Sequence, residues 1–332
     1  VNVFFHAAWQ ATPVQLLGVL QKALPRSLQA AAHEACLLPD GRFALGARAV
    51  LQACESAGIG IVEVGFRNSQ KFFSPEKFGK WRFCEEKNLR EVFSGFDCKV
   101  ELCTLVDAGK CDISKIPPKS ESIISRTRCA FYAKDIDSAS ETLEALSDLG
   151  YKTSACMMAS PELEKSERRK CLNRLCGLKI DTIYLMDSFG TLLPNKTREI
   201  FAEYADACAQ SAKTFGAHFH NNLQCAFANS LAAIEAGAEV VDATIGGLGK
   251  GAGNCPTELL AGAIFGADAA LPLSEASAKF ALPIMEKYKC GFFPQYMLTA
   301  LLGIHPRPAM EYSKMQNPPA LSDFYKNIKE QL

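Results

Sequence analysis

The 332-residue sequence lacks an excess of charge of either sign, because Lys and Arg together number 36 and so do Asp and Glu. Binding to nucleic acid or to an anionic membrane surface depends on a surplus of basic side chains. It also lacks an apolar run of the roughly 18 residues that cross a bilayer. We therefore expect no nucleic-acid or membrane partner, and a small molecule is the ligand class that remains.

The fourteen cysteines lack a repeated spacing, and they contain no Cys-x-x-Cys pair. The missing pair argues against a zinc ribbon or a thioredoxin-type site. Cysteines such as Cys54, Cys103 and Cys129 stand inside apolar runs. The expectation is therefore a set of reduced, buried thiols in an intracellular protein.

What the sequence does contain is a regular alternation of short apolar runs with helical patterns rich in Ala, Leu, Glu and Lys. The runs are His33–Leu38, Gly60–Gly65, Lys99–Val106, Ile124–Tyr132, Thr153–Met158, Thr182–Asp187, Ala217–Asn221 and Val240–Ile245. Alternating strands and helices favour parallel β-α units, and eight units in about 250 residues fit a closed barrel. A doubly wound sheet would need a Gly-rich turn after its first strand, which is missing. The predicted fold class is α/β, with a (β/α)8 TIM barrel at residues 33–270.

The two ends of the chain depart from this alternation. Residues 1–32 contain an Ala- and Leu-rich amphipathic stretch without an acidic residue, which is typical of a targeting leader but equally of a helix that caps a barrel. We expect a cytoplasmic protein, or import into an organelle if this segment is a transit peptide. After Ala270 the strands stop, and residues 271–332 are predicted to form a small helical extension through which a homodimer would form.

Two histidines, His218 and His220, stand at the end of a predicted strand, which is where a parallel barrel assembles its active site. Because one residue separates them, a strand directs both imidazoles to the same face. Such a pair often supplies two nitrogen ligands to one divalent cation. The alternative is a strand end with two half-exposed histidines.

Other polar residues end or follow the predicted strands, and they are Glu63, Arg67, Asp107, Arg128, Asp187, Ser188 and Asp242. Glu63 interrupts an apolar strand, so we expect a cationic partner such as Arg67 or Arg128. Asp187 and Ser188 precede a turn, which suits the support of a metal ligand or the recognition of a substrate carbonyl. For each of these candidate catalytic residues, a structural ion pair or a cap is the competing interpretation.

A glycine-rich loop, Gly246–Asn254, follows the last predicted strand. At the mouth of a barrel, the backbone N–H groups of such a loop can hold phosphate or carboxylate. It is not a Walker A loop, because Lys250 is not followed by Ser or Thr. We predict that Gly249, Gly251 and Asn254 bind substrate, with Asn254 also a candidate accessory metal ligand.

Four motifs together resemble the metal-dependent aldolase/lyase superfamily, which contains HMG-CoA lyase, isopropylmalate and homocitrate synthases, and 4-hydroxy-2-oxovalerate aldolase. They are Ile61–Arg67, Asp187–Gly190, His218–Asn222 and Gly246–Asn254. The resemblance implies a pyruvate carboxyltransferase-type barrel with a divalent cation, Mg or Mn and sometimes Zn or Co. In that family the cation is held by the two histidines and by an aspartate of the first strand. A nearby arginine and the metal stabilise the enolate that forms when a bond next to a 2-oxo acid breaks.

The first-strand motif of this sequence departs from the family pattern. Alignment on Cys36 and Asp40 places Ala35 at the position of the metal-binding aspartate and Pro39 at that of the arginine. Glu34 or Asp40 is the candidate third ligand, although strand alternation directs Glu34 to the other face unless a bulge intervenes. Arg42, Arg67 or Arg128 would then replace the missing guanidinium.

Three functions follow from the resemblance. The first is an active aldolase that converts a 4-hydroxy-2-oxo acid into pyruvate and an aldehyde, or catalyses the reverse reaction. The second is a catalytically impaired barrel that acts as a pseudoenzyme or as a partner subunit. The third is an acyl-CoA-condensing synthase of the same superfamily. The substitutions at Ala35 and Pro39 leave the choice open.

Overall fold

The strands of this computed structural model follow one another around a single parallel sheet. The structure describes residues 27–31, 42–288 and 290–331. Its strands are β1 (Ser27–Ala31), β2 (Ile61–Phe66), β3 (Glu101–Asp107), β4 (Arg126–Phe131), β5 (Lys152–Met158), β6 (Thr182–Asp187), β7 (Thr214–Phe219) and β8 (Val240–Ala243). Each strand pairs with the next, and β1 also pairs with β8, which closes the sheet into a barrel. The predicted α/β class with a parallel sheet is confirmed.

Helices connect the strands and continue after the last one. They are α1 (Arg42–Ser56), α2 (Pro75–Phe78), α3 (Glu86–Phe93), α4 (Ile136–Asp148), α5 (Lys165–Cys176), α6 (Pro194–Ala207), α7 (Ala226–Glu235), α8 (Thr257–Phe265), α9 (Ala267–Ala276), α10 (Leu282–Tyr288), α11 (Pro294–Leu301), α12 (Arg307–Tyr312) and α13 (Leu321–Lys329). In the part of the chain that the structure describes, no helix combines the length and apolar character needed to cross a membrane.

The first strand lies earlier in the chain than the sequence predicted. β1 pairs with β2 through Gln29 and Ile61, and with β8 through Ala30 and Ala243. Residues 27–31 therefore contribute to the barrel, whereas the sequence assigned them to a leader or cap. The reason for the difference is composition, because Ala, Leu and Gln favour helix and only pairing with neighbouring strands makes this segment extended. The predicted strand His33–Leu38 lies outside the described residues.

One layer of side chains inside the barrel is built from alternate strands. Glu63, Arg128, Tyr184 and Asp242 are each the third residue of their strands, β2, β4, β6 and β8. Barrels fill their interiors with such layers of four side chains, usually apolar ones. Here three of the four are charged. The ring of Tyr184 fits only because its partner on β7 is Gly216, where an added Cβ would stand 2.5 Å from the ring.

The C-terminal helices pack on loops that follow the strands. Tyr296, Ala309 and Phe324 form an apolar cluster with Ala252 of the glycine-rich loop. Another contact joins the ring of His305 to that of Phe189 after β6, with 5.2 Å between centroids. The helices from Pro294 onward therefore lie against loops at the carboxyl ends of the strands, while the extension predicted for residues 271–332 as a unit stays a prediction.

One pair of cysteines corrects the prediction of reduced thiols. Cys176, the last residue of α5, and Cys208, just after α6, form a disulfide bond with 5.9 Å between their Cα atoms. They are 32 residues apart in sequence. Their proximity arises from the packing of two neighbouring helices, which the spacing of cysteines in the sequence does not reveal.

Candidate active site

The histidine pair lies at the carboxyl end of β7. His218 is the fifth residue of that strand. His220 comes directly after the end of the strand, and its backbone pairs with that of Asn254. The two imidazole rings have centroids 5.2 Å apart. The structure thus brings the two histidines together, while their role as metal ligands stays a prediction.

Behind the histidines lies a buried charge network. Arg128 is 2% exposed and is held between Glu63, fully buried, and Asp242, 2% exposed. Its Nη1 lies 3.1 Å from Glu63 Oε2, and its Nη2 lies 2.6 Å from Asp242 Oδ2. The guanidinium also stacks on Tyr184, 4.4 Å from the ring centroid. The cationic partner expected for Glu63 is therefore Arg128.

Asp242 connects this network to the histidine pair. Its Oδ2 lies 2.9 Å from Nδ1 of His218. Burial raises the pKa of the Asp242 carboxyl, but the charge of Arg128 and the interaction with His218 outweigh that effect, so the pKa lies below its ordinary value. Asp242 is therefore a carboxylate at neutral pH, able to accept hydrogen bonds from both neighbours.

Arg67 belongs to a different part of the molecule. Its guanidinium pairs with Glu86 of α3 and donates to Tyr151 Oη and Ser122 Oγ, at 2.9 Å each. It lines a cavity of about 500 Å³ formed by the residues after β2 and β3, including Lys115. The alternative that Arg67 pairs with Glu63 is wrong, because α3 supplies its counter-charge instead.

Asp187 and Ser188 hold the loop after β6. Asp187 accepts backbone N–H groups from Thr191 at 3.0 Å and Leu192 at 3.2 Å, and Ser188 Oγ accepts that of Ala159 at 3.0 Å. Burial raises the pKa of Asp187 to about 7, although the two N–H groups act in the opposite direction. The backbone carbonyl of Asp187 also accepts the N–H of His220 at 3.3 Å. Both side chains thus shape the surroundings of the histidines, and their contact with a substrate carbonyl stays a prediction.

The glycine-rich loop folds back onto the histidine segment. The carbonyl of Gly253 accepts the N–H of Asn221 at 2.8 Å, and the carbonyl of Gly247 accepts that of Asn254 at 3.0 Å. Gly253 has φ +88°, and a Cβ there would stand 2.3 Å from Gly247 O. Only glycine combines that backbone conformation with such a close approach.

Gly249 and Gly251 each leave room for another side chain. A Cβ on Gly249 would lie 2.6 Å from Nδ2 of Asn254, and one on Gly251 would lie 2.8 Å from the ring of Tyr296. Packing within the protein therefore accounts for both glycines, and their predicted contact with substrate is untested. Asn254 is 3% exposed, and its Oδ1 has no hydrogen-bond partner among the described residues.

The donors present fit one side of a divalent-cation site. Residues 42–288 and 290–331 contain no cluster of three His, Cys, Asp or Glu side chains that could hold a metal ion. They do contain two adjacent imidazoles and the amide oxygen of Asn254, a buried acceptor without a partner. Mixed nitrogen and oxygen ligands suit divalent cations, and catalytic centres leave a position open. The predicted carboxylate ligand, Glu34, lies outside the described residues.

Two residues of the site carried no predicted role. In the sequence, Asp242 stands out only as a polar residue at a strand end, and Tyr184 does not stand out. Both are the third residue of an even-numbered strand, as Glu63 and Arg128 are. That shared position was the signal that could have revealed them.

A barrel with polar side chains gathered where its strands end has the organisation of barrel enzymes. The sequence model of the HMGL-like family matches residues 47–277, and the chain belongs to that family. It is 30% identical over 219 residues to a 4-hydroxy-2-oxovalerate aldolase of Thermus thermophilus, which covers 65% of this chain and 61% of that protein. The chain spans about three fifths of the length of the curated relatives it matches, 62% and 61% of two of them.

Solved structures agree with this assignment at the level of fold. The N-terminal domain of a putative aldolase from Bacteroides vulgatus superposes with a TM-score of 0.68 at 23% identity, covering 87% of this chain and 97% of that one. HMG-CoA lyase of Bacillus subtilis superposes with a TM-score of 0.60 at 16% identity, covering 80% and 94%. The predicted family resemblance is confirmed.

Proposed function

We propose that this protein is a divalent-metal-dependent lyase of the aldolase type that acts on a 2-oxo acid. The observation that carries the proposal is the pairing of His218 and His220 on a segment whose backbone pairs with that of Asn254, a residue with a free, buried amide oxygen. The aldolase relatives support 4-hydroxy-2-oxo acids as substrates, with pyruvate and an aldehyde as products. The working unit in this proposal is the complete (β/α)8 barrel with its helical extension.

The chain's own residues take the following roles in this proposal. His218 and His220 hold the cation, Asn254 is an accessory ligand, and Glu34 is the candidate carboxylate ligand. When bound, the cation stabilises negative charge on the oxygen of the enolate. The N–H groups of Gly249 and Gly251 border the substrate. Asp187 and Ser188 keep the loop after β6 in place next to His220.

The two arginines contribute differently from the arginine expected in the family. Nη1 of Arg128 contacts Glu63 and Nη2 contacts Asp242, so Arg128 orients the site through these two carboxylates. Arg67 is neutralised by Glu86. Neither guanidinium is available to replace the one expected at Pro39. A homodimer through residues 271–332 and a cytoplasmic location remain predictions.

Metal content tests the proposal directly. Reconstituted wild-type protein should hold about one divalent ion per chain, and His218→Ala and His220→Ala should lose it. His305→Ala is the control, because that histidine belongs to the C-terminal helical part, where its ring packs on Phe189 of the loop after β6. Loss of metal in the control as well, or wild-type protein that binds none, would contradict the proposal. Activity is then measured as pyruvate release from 4-hydroxy-2-oxo acids, and thiol release from an acyl-CoA would instead identify a condensing synthase.

A catalytically impaired barrel is the second candidate, and the engagement of Arg67 and Arg128 by internal carboxylates favours it. The double variant Ala35→Asp/Pro39→Arg restores the two side chains that the family pattern contains. A large gain in pyruvate release over an inert parent supports the impaired barrel. A parent that is already active and loses activity in the double variant excludes it.

A further inference from the structure

We propose that Asp242 is a positioning residue that fixes the tautomer and orientation of His218. In this arrangement Nδ1 of His218 carries the hydrogen and Nε2 is left as the metal donor. Arg128, held by Glu63, fixes Asp242 in turn. The inference rests on the proposed function only in its last element, the use of Nε2 as a metal ligand.

The hydrogen-bond inventory around Asp242 determines which imidazole nitrogen is protonated. Oδ2 of Asp242 lies 2.9 Å from Nδ1 of His218 and 2.6 Å from Nη2 of Arg128. An ionised carboxylate has no hydrogen to donate, so both nitrogens must donate to it. A neutral imidazole has one N–H group, and with that group at Nδ1 the lone pair is at Nε2. Carboxylates commonly orient metal-binding histidines in this way.

The position of the Asp242 carboxylate is itself constrained from several strands. Arg128 of β4 contacts Asp242 on β8 through one arm and Glu63 on β2 through the other, and its Nε lies 3.3 Å from Cys156 Sγ on β5. The Tyr184 ring of β6 covers one face of the guanidinium. A side chain with contacts on so many strands has one available position. The carboxylate that it holds is therefore also fixed.

The charge of the layer suits this task. Arg128 contacts the buried carboxylates of Glu63 and Asp242, so the imidazole of His218 lies next to a network of buried charges. Electrostatic interactions are stronger in this buried environment than in water. The hydrogen bond to Asp242 therefore holds the imidazole of His218 firmly in one orientation.

The tautomer of His218 can be measured without any metal. The chain has five histidines, so selective 15N-histidine labelling gives a spectrum with few signals, and His218→Gln identifies the one of interest. Long-range 1H–15N correlation spectra of metal-free wild-type protein should show a protonated Nδ1 and an unprotonated Nε2. Asp242→Asn should shift His218 towards the Nε2–H form. A wild-type Nε2–H tautomer, or no change in Asp242→Asn, overturns the inference.

Affinity for Mn²⁺ provides the second measurement. Asp242→Asn should weaken it about 10- to 100-fold, the usual effect of losing such a supporting carboxylate. Glu203→Gln is the matched control, because Glu203 pairs with Arg168 at 2.7 Å between two outer helices and should leave Mn²⁺ affinity unchanged. The predicted tautomer in a protein that binds no Mn²⁺ would refute the proposed function and retain the positioning role. Mn²⁺ binding by a protein in which Asp242→Asn leaves the His218 tautomer unchanged would instead refute the positioning role and retain the proposed function.

The step through Arg128 has its own variant, which also serves if Asp242→Asn fails to fold. Arg128→Lys keeps the positive charge but removes the two-armed geometry. Circular dichroism first establishes that the variant is folded. The His218 Nδ1–H population should then fall relative to wild type and Mn²⁺ affinity should weaken. An unchanged tautomer population would exclude Arg128 from the positioning role.

Discussion

Replacing Arg128 with methionine should destabilise the protein strongly, because it removes the guanidinium that two buried carboxylates, Glu63 and Asp242, both contact. The substitution keeps most of the side-chain volume, so the loss of charge dominates. Attraction between unit charges about 4 Å apart is worth about 4 kcal/mol at an effective dielectric constant of ~20. Breaking a buried ion pair from one side costs about 3–5 kcal/mol in measured cases. We expect a loss within that range for Arg128→Met.

The matched control lies two residues earlier on the same strand. Arg126 is 12% exposed in its side chain and lies 3.5 Å from Glu101, which is 33% exposed. Glu101 also contacts Lys152, so Arg126→Met leaves this partly exposed carboxylate with a cation, and the effect should be small, about 0–1 kcal/mol. Urea unfolding followed by circular dichroism gives both free energies, and the slope of each transition shows whether the folded state is unchanged.

A second substitution tests the cause of the loss. Glu63→Gln in the Arg128→Met background removes the charge of one of the two carboxylates that Arg128 contacts, and it should recover part of the stability. Equal losses for Arg128→Met and Arg126→Met would refute the reasoning. A double variant that is less stable than Arg128→Met alone would also refute it, because removing the charge of Glu63 should reduce an electrostatic cost.

Three further substitutions follow from the geometry. Gly216→Ala puts a Cβ 2.5 Å from the Tyr184 ring, and it should cost about 1–3 kcal/mol in urea unfolding and weaken Mn²⁺ binding. Gly253→Ala combines φ +88° with a 2.3 Å approach to the carbonyl of Gly247, so a loss of about 2–4 kcal/mol is expected; a thermal unfolding midpoint equal to wild type would contradict it. Cys176→Ser opens a 32-residue loop and should cost about 3–4 kcal/mol under oxidising conditions, with no difference from wild type in dithiothreitol.

The sheet could be predicted wherever strands are buried on both faces. Thr182–Asp187 is buried throughout, and its bounds were predicted from its apolar run alone. β1 could not be predicted in the same way, since Ser27–Ala31 has small and helix-favouring residues and becomes a strand only between β2 and β8. A local sequence pattern identifies strands that contain an apolar run, but not strands that form only because neighbouring strands pair with them.

For the site, the sequence indicated residue types but not their connections. The histidine pair was visible because one residue separates its members. The partner of Glu63 was left open between two arginines, since Arg67 and Arg128 are equally plausible when only the chain order is known. The choice depends on register, which places Arg128 opposite Leu105 on β3 and directs it into the interior layer. The role of Asp242 depends in addition on β7 and β8 being adjacent.

The charged interior layer also has a consequence for the order in which the chain can fold. Glu63 and Arg128 are 65 residues apart, and Arg128 and Asp242 are 114 residues apart, so the layer is complete only after β8 has docked. Until then, Arg128 has one carboxylate partner and an opening to water beside it. Contacts between such distant residues form slowly, and large domains populate intermediates before their last elements associate. The final strand therefore completes the charged layer, and a chain truncated before Val240 should leave Arg128 without its contact to Asp242.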